Sequence, residues 1–158
     1  MRKWAGIALL GGLGAAGLLV HPAAQSRQGE PINAADTAWI LTATALVLLM
    51  TPGLSFFYGG MVRLKNVVST LLQSFVAMAV ISLLWVLVGF SLSFGDSFGG
   101  LIGDPRTFFM FSGVGVETHP DLAPTIPLVL FALFQLKFAI ITPALITGAF
   151  AERVRFKA

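Results

Sequence analysis

Cysteine is absent from the 158 residues, so the chain has no disulfide framework, thiol nucleophile or cysteine-based metal site. Charge is nearly as scarce. Asp, Glu, Lys and Arg together make up 11% of the sequence, against about 25% in an ordinary soluble domain. So few charges do not cover a water-facing surface. Histidine stands only at positions 21 and 119. No nucleophile–base pair and no metal cluster is legible, so the reading is of a protein that is not an enzyme and uses no cofactor or metal.

What is present is apolar. Hydrophobic residues are 56% of the chain and the mean hydropathy is +0.88, which places it among membrane proteins. The net charge of +3 does not point to nucleic acid. The basic residues are scattered between hydrophobic segments rather than gathered on one face, so they are topology signals. Period-two alternation is absent, which disfavours barrel strands. The expectation is an all-α membrane protein, because without water at depth helices satisfy the backbone.

Four apolar segments are visible. The first, Trp4 to Val20, follows Arg2 and Lys3 and ends at "HPAAQS". It reads as a signal peptide over residues 1–24, with a retained N-terminal membrane helix as the alternative. Residues 25–36 then form an external N-terminal segment. The other three, about 38–61, 67–94 and 124–150, each exceed the roughly 20 residues that cross a bilayer core. Arg63 and Lys65 sit between the second and third; Arg153, Arg155 and Lys157 follow the fourth. The long loop 95–123 has Arg106 against Asp96, Asp104, Glu117 and Asp121. Positive loops stay cytoplasmic. The mature N-terminus is therefore expected outside and residue 158 inside, in a multi-pass protein of the cell's inner membrane.

Within the segments, "LVLLMTPGLSFFYGG" (46–60) carries a helix breaker at Pro52, which costs the Leu48 carbonyl its helical partner. That is either a packing kink or a bend that shapes a path. Gly59 and Gly60 would allow close helix approach. Asn66, Ser69 and Gln73 share one helix face and read as interhelical contacts or substrate contacts. Phe134 and Phe138, four apart, stack on one face; pattern alone makes them core or lipid-facing rings. Gln135 and Thr142 form a second polar stripe, and Pro143 repeats the breaker. Lys137 is expected near mid-membrane, where a charge costs at least about 2.5 kcal/mol.

"LMTPGLSFFYGGMVRLKNVVSTLLQSF" resembles the first two membrane helices of the ammonium transporter family, and "FQLKFAIITPALITGAFAERVRF" its third. The likeness covers residues 37–158. It implies a homotrimer whose subunits each have eleven membrane helices and a hydrophobic pore, of which this chain matches the first three. It also implies ammonium or ammonia as the cargo, membrane lipid around it and a cytoplasmic regulatory protein as a partner. It assigns Phe134 and Phe138 to the pore, with Phe138 at the external gate, and Phe57 and Tyr58 to the lower pore. The family's paired pore histidines lie on later helices, and neither His21 nor His119 matches them. The expected function is the N-terminal part of an ammonium channel or transporter. The alternative is a non-transporting truncated fragment, or a sensor or regulatory piece on the same fold.

Overall fold

The computed structural model describes residues 30–153, with Gly12 as an isolated residue ahead of them. The signal-peptide reading of residues 1–24, His21, and the basic residues Arg155 and Lys157 lie outside the described residues. Helix α1 spans Ala34–Met61. Helix α2 spans Val67–Leu84, passes through a π-helical turn at Trp85–Gly89 and continues as the short α3, Phe90–Phe94. Helix α4 spans Leu128–Phe150. The rod formed by α2 and α3, the α1 helix and α4 are each long and apolar enough to cross a membrane. Every one of the three packs against the other two.

The helix starts follow from local chemistry. Helix α1 begins at Ala34, before the apolar run does, because Asn33 caps it. The Asn33 side-chain oxygen accepts from the backbone N–H of Ala35 (2.9 Å) and Asp36 (3.2 Å), satisfying donors that a helix start leaves orphaned. Helix α4 begins at Leu128 rather than at Pro124. A residue before proline is pushed out of the helical region, and Pro127 follows Ile126 directly. The freed segment is used otherwise: the carbonyls of Pro124 and Thr125 accept from the N–H groups of Glu30 (3.1 Å) and Asn33 (2.8 Å).

Pro52 does not end α1, which runs on through it for nine more residues. The residues beside it explain the tolerance. Thr51 and Ser55 are buried, and the Ser55 hydroxyl donates to the Leu71 carbonyl of α2 at 3.2 Å. Small polar residues let the two backbones approach. Of the two glycines expected to do the same, Gly59 does: a β-carbon there would lie 3.3 Å from Leu71 Cδ2. Gly60 does not. It stands about 100° further round the helix, in open space.

At the opposite end, residues 95–127 fold into a cap over the helices. A two-residue antiparallel pair joins Ser97–Phe98 (β1) to Ile102–Gly103 (β2). The pair lies tight on α3, since a β-carbon on Gly103 would collide with the Ser91 carbonyl. Phe90 is wholly buried and sits at the centre of an aromatic cluster. Its ring lies 5.1 Å from Phe108, 5.6 Å from Phe111 and 5.9 Å from Trp85. Aromatic pairs at such spacing add about 0.5–1.5 kcal/mol each beyond their buried area. The Ser91 hydroxyl accepts from the Phe108 N–H at 2.8 Å. The membrane-length helices themselves are sparsely covered: 11%, 17% and 28% of their most apolar windows are buried. Most of their apolar surface faces outward.

Candidate functional site

The first half of α4 is held from two sides, by the cap and by α2. Its leading N–H groups are met by the cap: Leu128 donates to the Glu117 carbonyl (2.9 Å) and Val129 to that of Gly115 (3.0 Å). One turn on, the buried Trp85 indole donates to the Ala132 carbonyl at 3.1 Å. The π-helical turn that begins at Trp85 inserts an extra residue after it and so shifts Phe90–Phe94 round the helix relative to α2.

On this fixed stretch stand Phe134 and Phe138. Their rings lie 5.2 Å apart at 76°, edge to face, as i, i+4 spacing on a helix allows. Phe134 is partly buried, whereas Phe138 is 41% exposed. At about 1.5 Å per residue, Phe138 is about 15 Å from the start of α4, deep in the span. Its carbonyl accepts from the Thr142 hydroxyl (2.9 Å), so that hydroxyl is occupied within the helix. The geometry leaves Phe138 partly open, with Phe134 packed against it edge to face. A cation over the face of a ring gains about 0.5–2 kcal/mol.

Phe57 and Tyr58 lie toward the other end of α1, with ring centres 5.6 Å apart. Phe57 is 60% exposed. Tyr58 is partly buried and reaches across to α4, where its hydroxyl donates to the Leu145 carbonyl at 3.0 Å. A β-carbon at Gly148 would lie 2.7 Å from Tyr58 Cζ, so a residue without a side chain is required beneath the ring. Sequence reading missed this crossing contact, although a glycine inside an apolar helix signals close approach. The structure thus joins Phe134 to Phe138 and Phe57 to Tyr58; among the described residues no ring contact links the two pairs.

The remaining candidates separate. Asn66 lies at the turn between α1 and α2, where its side chain donates to Glu152 at 3.0 Å. Gln73 faces a groove between α2 and α4. Thr70 and Ser74, not singled out in the sequence, are the buried polar residues of α2. Lys137 is partly buried, and among the described residues no ion pair reaches it. His119 is buried in the cap, where its Nδ1 accepts from the N–H groups of Asp121 and Leu122, each at 3.3 Å. That is a structural role within a tight turn.

A family model described as the Ammonium Transporter Family matches residues 38–158. The ammonium transporter of Mycobacterium tuberculosis is 48% identical over 136 residues, covering 78% of this chain and 28% of that protein. The ammonium transporter of Bacillus subtilis is 48% identical over 123 residues, with 78% and 30% covered. Among solved structures, Saccharomyces cerevisiae Mep2 superposes with a TM-score of 0.66 at 35% identity, over 78% of this chain and 29% of that one. The Candida albicans Mep2 mutant delta442 gives 0.61 at 31%, over 78% and 30%. The chain spans less than a third of the length of these relatives. It is a multi-pass membrane protein with three membrane-length helices, and on the match over residues 38–158 it belongs to the ammonium transporter family.

Proposed function

We propose that this chain is the N-terminal part of an ammonium transporter, and that α4 supplies the external gate of its pore. The observation that carries the reading is the Phe134–Phe138 pair. It places a partly exposed ring, packed edge to face with a second, on a helix stretch held by both the cap and α2. A ring face attracts a small cation and its bulk excludes a hydrated one. The same reading puts Phe57 toward the lower pore and Tyr58 beside it as the tie between α1 and α4. It also places the cap outside an inner membrane and residues 62–66 inside, within a trimer whose cytoplasmic face meets a regulatory protein. The role is conduction of ammonium or ammonia, with no chemical step on the cargo beyond its proton.

The test is a chimera. Residues 38–158 replace the matched region of the M. tuberculosis relative, in cells lacking ammonium uptake. The chimera restores growth on low ammonium and admits labelled methylammonium. Phe138→Ala in the chimera leaves expression and assembly intact, because a half-exposed ring has few partners to lose, but alters flux or selectivity over potassium. A core ring would instead cost about 3–5 kcal/mol and depress expression. A well-assembled chimera without uptake, or a Phe138→Ala variant with unchanged flux and selectivity, would overturn the assignment.

A further inference from the structure

We propose that His119 is a proton-sensitive latch in the cap. With a neutral ring it closes the turn that fastens the start of α4 to the start of α1, and on taking up a proton it lets that turn open. The inference rests on the geometry of the cap and does not depend on what the pore conducts.

Two turns in this chain are closed in the same way. At the start of α1, Asn33 Oδ1 accepts the N–H groups two and three residues on, those of Ala35 and Asp36. In the cap, His119 Nδ1 accepts the N–H groups two and three residues on, those of Asp121 and Leu122, each at 3.3 Å. The two acceptors differ in one respect. An amide oxygen keeps its lone pairs at any physiological pH. A ring nitrogen accepts only while the ring is neutral, and an imidazolium has an N–H at both positions and no acceptor. Protonation therefore sets a third N–H against two, around a ring that is only 7% exposed. Histidine is the side chain that ordinarily makes this change between about pH 5 and 8.

The turn stands between the attachments of the cap. His119 and Ala123 exchange two backbone hydrogen bonds of 2.9 Å. Just before the turn, the Thr118 hydroxyl donates to the Glu30 carbonyl at 2.7 Å, and the Glu117 carbonyl accepts from Leu128, the first residue of α4. Just after it, the carbonyls of Pro124 and Thr125 accept from Glu30 and from Asn33, the residue that caps α1. Closure of the turn sets the separation of these two flanks, so opening it slackens the tie between the helix starts.

The surroundings pull the proton the other way. Glu117 and Asp121 lie two residues to either side of His119, and Glu30 is on the segment bonded to Thr118. Asp36 of α1 shares a cleft with Leu122 and Ala123 of the turn. The segment carrying Phe108, whose ring is edge-on to His119, bears Asp104 and Arg106, bound to each other at 3.0 Å. The first turn of α4 has no charged residue. Carboxylates favour a cationic ring, while the turn requires a neutral one. That opposition gives the latch two states.

The test is amide hydrogen exchange on the complete 158-residue chain in detergent. It compares about pH 7.5 with about pH 5.5, an interval in which ordinary histidines gain a proton and ordinary carboxylates do not. Rates are corrected for the intrinsic pH dependence of exchange and read on peptides covering residues 117–129. Protection should fall about tenfold at the lower pH, the range for losing one or two hydrogen bonds, and return when the pH is restored. Amides of α2 should not respond. His119→Asn and His119→Asp each keep an acceptor that stays unprotonated in this interval, so they should hold the turn equally at both pH values. A parent chain whose protection does not fall would overturn the proposal. Variants that lose protection as the parent does would also overturn it and place the proton on a neighbouring carboxylate. So would a turn that neither variant protects at the higher pH while α2 stays protected, because a side-chain acceptor is then not what closes it.

Discussion

Tyr58 and Gly148 show how one missing β-carbon fixes a helix crossing. The ring of Tyr58 lies where an alanine side chain would be, and its hydroxyl reaches the Leu145 carbonyl just beyond. Tyr58→Phe removes the hydrogen bond alone and should cost about 0.5–1.5 kcal/mol. Gly148→Ala drives a methyl into the ring tip, displaces the ring and breaks the same bond, an overpacking cost of about 1–3 kcal/mol. The two effects share one contact, so they should not add. Gly148→Ala placed on Tyr58→Leu should cost much less than on the parent. Thermal unfolding of the purified chain in detergent, run as a double-mutant cycle, reads the coupling. Additive losses would mean that the ring and the glycine do not meet. The contrast with Phe138 is instructive. Both are aromatics in apolar helices, but Tyr58 spends its polar atom on a neighbouring helix, while Phe138 stays partly exposed.

The turn between α1 and α2 is secured by an element distant in sequence. Glu152 adopts φ +64°, a left-handed conformation that is costly away from glycine, and this turns its carboxylate back toward residues 63–66. Its Oε1 accepts from the Arg63 N–H (2.8 Å) and the Asn66 side chain (3.0 Å). The Arg63 guanidinium, 77% exposed and 4.0 Å away, adds little. The hydrogen bond from Asn66, then that from the Arg63 backbone, hold the Glu152 carboxyl below the ordinary carboxylate range. A depressed carboxylate contributes stability above its unfolded value and loses it as pH falls through the folded one. The turn should therefore be firm at neutral pH and loosen in acid. Glu152→Gln keeps the acceptor and should preserve the turn without that acid dependence; Glu152→Ala should expose Arg63 and Lys65 to trypsin several-fold faster. Equal cleavage of parent and Glu152→Ala would show that the turn is held otherwise. Little of this was legible beforehand. Hydropathy reports where chain is apolar, so it located the spans, but Asn33 begins α1 and Pro127 delays α4 by backbone chemistry that hydropathy ignores. The π-helical turn at Trp85–Gly89 was not legible either, since one extra residue inside a continuous apolar run leaves the hydropathy unchanged. The Phe134–Phe138 contact followed from spacing, whereas a gate role came only from family resemblance.

At the scale of the whole molecule, the basic turn lies at one end of the three helices and the cap at the other. If basic loops face the cytoplasm, the cap is external. The absence of cysteine makes this directly readable. Leu64 is 94% exposed at the turn and Val116 is 71% exposed in the cap. In intact cells, an impermeant thiol reagent should label Val116→Cys and spare Leu64→Cys until the membrane is opened. The opposite pattern would invert the orientation. The sparse burial of the helices leaves most of their apolar outer faces uncovered by the rest of this chain.

The cap also bears on the order of events during biosynthesis. Its ties run from Glu30 and Asn33 to Pro124 and Thr125, from Ser91 to Phe108 and from Trp85 to Ala132. Every partner has been synthesised once the ribosome has passed position 132. Chains emerge N-terminus first and fold in units as they do. The cap can therefore hold the three helices in register as soon as the first turns of α4 have been made, so their arrangement is set during synthesis and not after it.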